Sequence, residues 1–288
     1  MGPTASGKST LAERLADELD AVLINADSFQ VYRGFDIGTA KPECRERYKL
    51  IDIKNPDEQF GVGEFVELAH GVLQRVYEEG RSAVVVGGTG LNIRALFEEY
   101  ADMNSLPNPE LRESLQSELA EKGIEFMAER LRAESSEIAE KVDLKNPVRV
   151  LRALEKLRVP RAEKRSLPPY LKAKVGILTG KEVQEHRITI RLRAMLENGF
   201  VSEVERILAS GTAMDAPAMR AIGYRPLAEA VQNKIEINEA ISRVEMETRQ
   251  YAKRQRTWLR SEPNLLLKAD VGEEIHVASL LTEFFRGT

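Results

Sequence analysis

The segment GPTASGKST, residues 2–10, decides the fold of this chain. Gly2 to Ser9 match the pattern G-x-x-x-x-G-K-[ST], in which successive backbone N–H groups converge on phosphate oxygens. Lys8 adds a positive charge, and the Ser9 hydroxyl is a ligand for Mg²⁺. Because such a loop normally joins a buried strand to a helix, it predicts an α/β core. On the loop alone, the expected ligand is ATP or GTP.

The residues after the loop alternate between helical and strand patterns. Residues 8–19 carry apolar side chains at helical spacing, and residues 21–25 (AVLIN) form the short apolar run of a buried parallel strand. A helix over 62–79, a strand over 82–88 and a helix over 91–100 repeat this order. The alternation predicts a parallel-sheet core of the P-loop NTPase type.

Residues 108–157 contain helical patterns only, and an Asn or Ser before a run is suited to cap it. The runs are NPELRESLQSELAEKG (108–123), IEFMAERLRAE (124–134), SSEIAEKVD (135–143) and NPVRVLRALEKLR (146–158). We expect a helical insertion at 108–169 within a core made of 1–107 and 170–288. In the second part of that core, the patterns predict a strand over 175–180, helices over 181–210 and a long helix over 237–259.

Only Met1 precedes the loop, at the place where the first core strand should end. We therefore expect the sheet to lack this strand. Its two neighbours would then carry unpaired backbone groups, which cost about 1–3 kcal/mol each when buried. A start upstream of Met1 is the favoured explanation, and a poorly folding product is the other.

Composition indicates an ordinary globular protein. The 288 residues are 31% charged and 42% apolar, without a signal-peptide pattern or an apolar run near the roughly 20 residues that span a bilayer. Cys44 is the single cysteine, which excludes an intramolecular disulfide and fits a reducing compartment. We expect a monomer located in the cytoplasm and away from membranes.

Two basic clusters interrupt the net charge of −4. Residues 149–165 contain seven Lys or Arg against two Glu, and residues 248–260 contain five basic residues and no acidic one. Each cluster alone is consistent with a solvated helix face. Together, beside a phosphate site, they indicate a polyanionic partner.

Asp27 follows the strand at 21–25 and comes within reach of the glycine-rich loop. It is a candidate metal carboxylate, a candidate general base, or a cap of the next turn. The strand at 82–88 ends in glycines and Thr89, with no carboxylate. The three histidines are scattered, which gives no support to zinc chemistry.

Six stretches, in order, resemble the tRNA dimethylallyltransferases, also called tRNA isopentenyltransferases. They are GPTASGKST (2–10), NADSFQVYRGFDIGTAKP (25–42), VVVGGTGLNIRAL (84–96), RVLRALE (149–155), AIGYR (221–225) and TRQYAKRQRTWLR (248–260). The resemblance implies transfer of a dimethylallyl group from dimethylallyl diphosphate to the exocyclic N6 of the adenosine 3′-adjacent to the anticodon in tRNA.

The resemblance also assigns roles to residues. The diphosphate would lie on Gly2, Pro3, Thr4, Ala5, Ser6, Gly7, Lys8 and Ser9, with Mg²⁺ as cofactor on Ser9. Asp27 would take the proton from the adenosine amine, with Thr89 and Arg225 as further catalytic residues. Gln30 would form paired hydrogen bonds to a base edge.

The remaining tRNA contacts follow from the same resemblance, and the anticodon stem-loop is the expected partner. They are Asp27, Ser28, Phe29, Gln30, Thr89, Arg112, Val148, Arg149, Val150, Leu151, Arg152, Arg249, Gln250, Lys253, Arg254 and Gln255. The basic clusters therefore fall on predicted RNA contacts.

Asn92 and Pro226 depart from the family, which usually has Tyr and Gln at these positions. The usual turn after RALEK is replaced by LRVPRAEKRSLPPY. Two other functions remain open: a small-molecule or nucleotide kinase with the same core, and an inactive RNA-binding relative.

Overall fold

The computed structural model describes residues 1–97, 108–159, 167–178, 180–262, 265–270 and 274–286. The chain forms two compact units, one made of residues 1–98 and 167–288, the other of residues 99–166. The family's missing turn after RALEK falls largely on residues 160–166, outside the described part. Among the described residues, no helix has the length and apolar composition needed to cross a bilayer.

The first unit begins with α1 (Lys8–Leu19) and β1 (Val22–Asn25), as the sequence predicts. Next come β2 (Tyr48–Lys49), α2 (Val62–Glu78), β3 (Ala83–Val86) and α3 (Gly90–Phe97). After the second unit it continues with β4 (Lys174–Leu178), α7 (Lys181–Glu197), α8 (Phe200–Ala209), α9 (Tyr224–Val231), α10 (Ile237–Arg260), β5 (Leu265–Asp270) and α11 (Glu274–Arg286).

The described strands form two parallel sheets. One has the order β2-β1-β3, and the other pairs β4 with β5. All pairs are parallel, as the buried apolar runs predict. Met1 extends along β4: its amino nitrogen donates to Val175 O at 2.7 Å, and Ile177 N donates to Met1 O at 2.9 Å. Met1 therefore occupies a strand position beside β4, immediately before the glycine-rich loop.

Helix α1 packs on both sheets. Leu11 and Leu15 lie in one apolar cluster with Val84 of β3 and Ile177 of β4. The four residues of β1 are all buried, as expected for a strand between two partners. Because α1 starts directly after the loop, this packing fixes the loop near the carboxyl ends of β1 and β3.

A second apolar cluster of the same unit surrounds Tyr224. Its ring lies 4.6 Å from that of Phe35 and 5.1 Å from that of Phe200, between centroids. Helices α8 and α9 thereby pack on the long segment that follows β1. Pro226 lies in the first turn of α9, where its missing N–H has no intrahelical role, so the helix starts normally at Tyr224.

The second unit, in its described part, is helical: α4 (Pro109–Glu134), α5 (Ser136–Lys141) and α6 (Pro147–Arg158). The predicted N-caps are confirmed, since Asn108, Ser135 and Asn146 each accept from a backbone N–H three residues on. Non-helical angles at Gly123 break α4 where the sequence predicts two helices. Leu115, Met127, Leu131 and Leu154 form its buried core.

Candidate functional site

The glycine-rich loop has a tightly wound backbone. Gly7, just before α1, has a φ of +84°, a left-handed value that glycine adopts without strain, and Ala5 has a φ of +60°. Ser6 is only 1% exposed, and its Oγ has no hydrogen-bond partner among the described residues. Such a buried, unpaired hydroxyl is suited to an oxygen-rich ligand held in the loop.

Three side chains from distant helices hold Thr4 within this loop. Its N–H donates to Gln255 Oε1 at 2.8 Å, and its carbonyl accepts from Gln184 Nε2 at 3.1 Å. Its Oγ1 accepts from Arg191 Nη1 at 3.2 Å. Gln184 is wholly buried and also accepts from Arg256. Helices α7 and α10 therefore set the position of the loop.

Two cationic side chains, Lys8 and Arg191, lie at the loop, and Asp27 is the acidic side chain that interacts with both. Burial, with the nearby Arg191 charge, lowers the pKa of Lys8 to about 8, although Asp27 acts in the opposite direction. Burial also lowers the pKa of Arg191, again against the effect of Asp27. Both groups would regain stability from a bound anion. The site is therefore electrostatically suited to phosphate or diphosphate.

Asp27 lies beside these cations at the end of β1. Its N–H donates to Asn25 Oδ1 at 3.0 Å, and its Oδ1 accepts from Phe29 N at 2.9 Å. Oδ1 thus caps the following turn, which was one of the three sequence interpretations. Among the described residues Oδ2 has no hydrogen bond, so this oxygen remains available to take a proton.

Thr89 lies next to this turn. Its Oγ1 accepts from both the backbone N–H and the hydroxyl of Ser28, each at 3.3 Å. Asn92 is buried and donates to Ala26 O at 3.2 Å and to Ser28 Oγ at 3.3 Å. Asn92, which departs from the family pattern, therefore fastens α3 to the turn that carries Asp27.

Tyr251, a residue that motif reading missed, projects from α10 toward the same place. Its hydroxyl donates to Gly88 O at 3.5 Å. Burial, with the Asp27 charge, raises the pKa of Tyr251 to about 12, so it remains a neutral donor at physiological pH.

Gln30 requires a correction. Its Nε2 donates to Thr39 O at 3.1 Å and to Ala40 O at 3.0 Å, which uses both amide hydrogens. The expectation of paired donor and acceptor bonds to a base edge is wrong for this conformation. Oε1, with no partner among the described residues, remains as an acceptor.

The predicted RNA residues of α10 divide into two groups. Arg249, Gln250, Lys253 and Arg254 are exposed, and Arg249 pairs with Glu245 at 2.8 Å. Gln255 is buried, and both ends of its amide are used, since Nε2 donates to Gly88 O at 2.9 Å. The structure thus places Gln255 in the support of the loop.

In the helical unit, the predicted contacts also differ in exposure. Val148 is 75% exposed and Arg149 is exposed, whereas the side chain of Val150 is fully buried and that of Leu151 is half-buried. Arg112 and Arg152 both bind the buried Glu155, at 2.5 and 2.9 Å, and hold its pKa low against the effect of burial. The Arg112 side chain is nevertheless half exposed, so it can reach a further anion.

Ser9 and Arg225, the predicted metal ligand and a predicted catalytic residue, both lie in the first turn of a helix. Ser9 is exposed in the first turn of α1, beside the loop. Arg225 is exposed in the first turn of α9. Within the described part of the chain, no hydrogen bond or ion pair joins Arg225 to the loop. Its catalytic role therefore stays a prediction.

These features define the class: an α/β protein with an anion-binding loop, two loop cations and a carboxylate beside them. The chain belongs to the IPP transferase family, whose model matches residues 30–262. A tRNA dimethylallyltransferase of Acetivibrio thermocellus is 36% identical over 277 residues, which cover 92% of this chain and 88% of that protein. Tyr251 and Arg225, named above, both lie within the matched range.

Solved structures agree with this assignment. The full-length tRNA isopentenylpyrophosphate transferase from Bacillus halodurans gives a TM-score of 0.72 at 31% identity, over 99% of this chain and 94% of that chain. A eukaryotic dimethylallyltransferase acting on tRNA gives 0.79 at 20% identity, over 99% and 78%. The second likeness is one of fold. The α/β core and the family resemblance expected from the sequence are both confirmed.

Proposed function

We propose that this protein transfers a dimethylallyl group from dimethylallyl diphosphate to N6 of the adenosine 3′-adjacent to the anticodon in tRNA. The observation that carries the proposal is the meeting of Lys8 and Arg191 with Asp27 at the glycine-rich loop. Cations suit the diphosphate of the donor, and the carboxylate suits the proton of the acceptor. Membership of the IPP transferase family supports the same reaction.

The donor diphosphate would lie on the loop, with its oxygens facing the backbone N–H groups, Ser6 Oγ, Lys8 and Arg191. These groups are fixed before the reaction, so they stabilise the charge that builds on the diphosphate as it leaves. Their positions depend on Thr4, which Gln184 and Gln255 hold.

In the transfer step, the adenosine N6 lone pair forms a bond to C1 of the dimethylallyl group. The bond from C1 to the diphosphate oxygen breaks, and diphosphate departs with the electron pair. Asp27 Oδ2 accepts the proton that N6 loses, because Oδ1 is already engaged by Phe29 N. Thr89 and Tyr251 border this place and can orient the amine.

Mg²⁺ fits the donor set here, since a hydroxyl together with substrate phosphate oxygens is typical of the ligands that this ion takes. Ser9 would hold the ion together with the diphosphate. When bound, it would supply further positive charge to the leaving group.

The tRNA would contact the exposed basic residues of α10, the exposed residues Arg112, Val148 and Arg149 of the helical unit, and the half-buried Arg152. For the buried Val150 and Gln255 we propose supporting roles in place of RNA contact. Free tRNA as a substrate supports a cytoplasmic location. A monomer acting on one tRNA stays our expectation.

The test is transfer of labelled dimethylallyl from its diphosphate to an anticodon stem-loop RNA with Mg²⁺. We expect transfer to adenosine at the target position and none to a loop carrying guanosine there. Excess ATP should inhibit little, because we expect the site to recognise the prenyl donor and to make few contacts with the base of ATP. Phosphate transfer from ATP, or folded protein that binds RNA without transfer, would contradict the proposal.

A further inference from the structure

Glu203 is a buried carboxylate of α8 that has no role in the transfer step described above. It is 2% exposed and accepts four hydrogen bonds. Oε2 accepts from Asp36 N at 3.1 Å and Ile37 N at 2.8 Å, while Oε1 accepts from Gly38 N at 3.3 Å and the Tyr224 hydroxyl at 2.6 Å. The charge is therefore satisfied almost wholly by one short segment of backbone.

Three successive N–H groups that converge on one anion fix the backbone that carries them. Packing adds a second constraint: a Cβ on Gly38 would lie 2.3 Å from the Phe200 ring and 2.6 Å from the Tyr224 ring. The segment thus packs against α8 and α9 and is hydrogen-bonded to Glu203 of α8. Glu203 gives it one conformation.

The same segment continues directly into the residues that hold Gln30. Thr39 and Ala40 follow Gly38, and their carbonyls accept both amide hydrogens of Gln30. Gln30 in turn lies three residues after Asp27, in the turn that Phe29 N closes on the Asp27 carboxylate. A continuous set of contacts therefore leads from Glu203 to the side-chain amide of Gln30, three residues after Asp27.

We propose that Glu203 is a positioning residue that fixes the orientation of the Gln30 amide and so selects an amino group on the target base. This proposal rests on the proposed function. With both hydrogens of Gln30 engaged, Oε1 accepts from the exocyclic amine of adenosine. A base with a keto oxygen at that position would place two acceptors against each other.

The test compares the binding of two anticodon stem-loops without donor, one with adenosine and one with inosine at the target position. We expect the wild type to prefer adenosine by about tenfold or more, a usual range for a site that recognises one polar group. Glu203→Gln should reduce that preference at least about fivefold while the KM for dimethylallyl diphosphate changes little. Tyr224→Phe, which removes one of four hydrogen bonds and keeps the ring, should reduce it by less.

Glu205→Gln is the matched control, because Glu205 is exposed on the same helix. A cycle with Gln30→Met completes the test: if Glu203 acts through Gln30, the double variant should discriminate no worse than Gln30→Met alone. An unchanged ratio in Glu203→Gln, additive losses in the double variant, or no adenosine preference in the wild type would overturn the proposal. Absence of prenyl transfer by the wild type would count against the proposed function alone, because the binding ratio needs no turnover.

Discussion

Gln184 Nε2 donates to the carbonyl oxygen of Thr4 at 3.1 Å, from a side chain that is wholly buried in α7. The hydrogen bond joins the glycine-rich loop to α7, at a residue 180 positions further along the chain. Gln184→Leu would leave the Thr4 carbonyl and the Arg256 guanidinium without this partner.

The KM for dimethylallyl diphosphate should consequently rise about tenfold in Gln184→Leu, because an unpaired buried group costs about 1–3 kcal/mol. The KM for the stem-loop should stay near that of the wild type. Steady-state kinetics with each substrate varied in turn measures the two KM values separately. Glu182→Leu, on the exposed side of α7, is the control. Equal changes in both KM values would indicate a general loss of structure.

Arg191 and Arg193 form a natural pair for testing the charge at the loop. Arg191 contacts Thr4 Oγ1 and lies next to Lys8, whereas Arg193 is exposed on the same helix. Arg191→Met should raise the donor KM at least tenfold, since a charged hydrogen bond to an anion contributes about 1.5–3 kcal/mol. Arg193→Met should leave it within about twofold. Similar effects from both variants would show that overall charge matters and that position does not.

Asp27→Asn tests the proton acceptor with little disturbance of the turn. The amide oxygen can still accept from Phe29 N, so the backbone should remain as it is. Because an amide is a poor base, kcat should fall about 10²-fold or more. Stem-loop affinity, measured by fluorescence anisotropy, should change little. A variant that keeps near-normal kcat would remove Asp27 from the role of general base.

Lys8 gives the donor affinity a pH dependence. In the folded protein its pKa is lowered from 10.5 to about 8, so the free site loses this charge as pH rises through 8. A bound diphosphate favours the charged form and raises the pKa again, so binding takes up a proton around pH 8. We therefore expect the donor KM to rise above about pH 8.

The effect of Lys8 on folding stability has the opposite pH dependence, since stability rises as pH increases through this range. Because the folded pKa lies below the unfolded value, charged Lys8 disfavours folding below pH 8, and this penalty fades between about 8 and 10.5. Lys8→Arg keeps its charge and should flatten the dependence of donor KM on pH, with Lys49→Arg as the exposed control. If the dependence of the donor KM on pH were the same in Lys8→Arg as in the wild type, a group other than Lys8 would be responsible for it.

The exposed basic face of α10 should account for part of the salt dependence of tRNA binding. Lys253→Ala combined with Arg254→Ala removes two such charges, so the slope of log affinity against log salt should fall by about one to two. Arg14→Ala with Lys49→Ala removes two exposed charges elsewhere and should leave the slope unchanged. An identical slope in both double variants would locate the RNA away from α10.

Features set by neighbouring residues were predictable from sequence. The bounds of α1, the caps at Asn108 and Asn146, and the break at Gly123 follow from helical spacing and local hydrogen bonding. The helices expected over 181–210 are α7, which ends at Glu197, and α8, which starts at Phe200, and Gly199 takes a φ of +92° between them.

Features that depend on distant residues were not predictable. Strand β2 has only two residues, and the pairing of β2 and of β5 is decided by partners far along the chain. Arg191 and Gln184 lie in a helix with no motif, and their chemistry exists only where α7 meets the loop. Motif reading located Asp27 and Thr89 because both directly follow strands at one edge of the sheet.

The contacts of Thr4 also bear on how the protein is made. Thr4 is synthesised well before its partners Gln184 and Gln255, which follow 180 and 251 positions later in the chain. At about 5–20 residues per second, the loop waits roughly 10–50 s before all three of its supports exist. During that time the nascent chain carries the glycine-rich loop without these contacts, so we expect donor binding only after the residues through Gln255 have been synthesised.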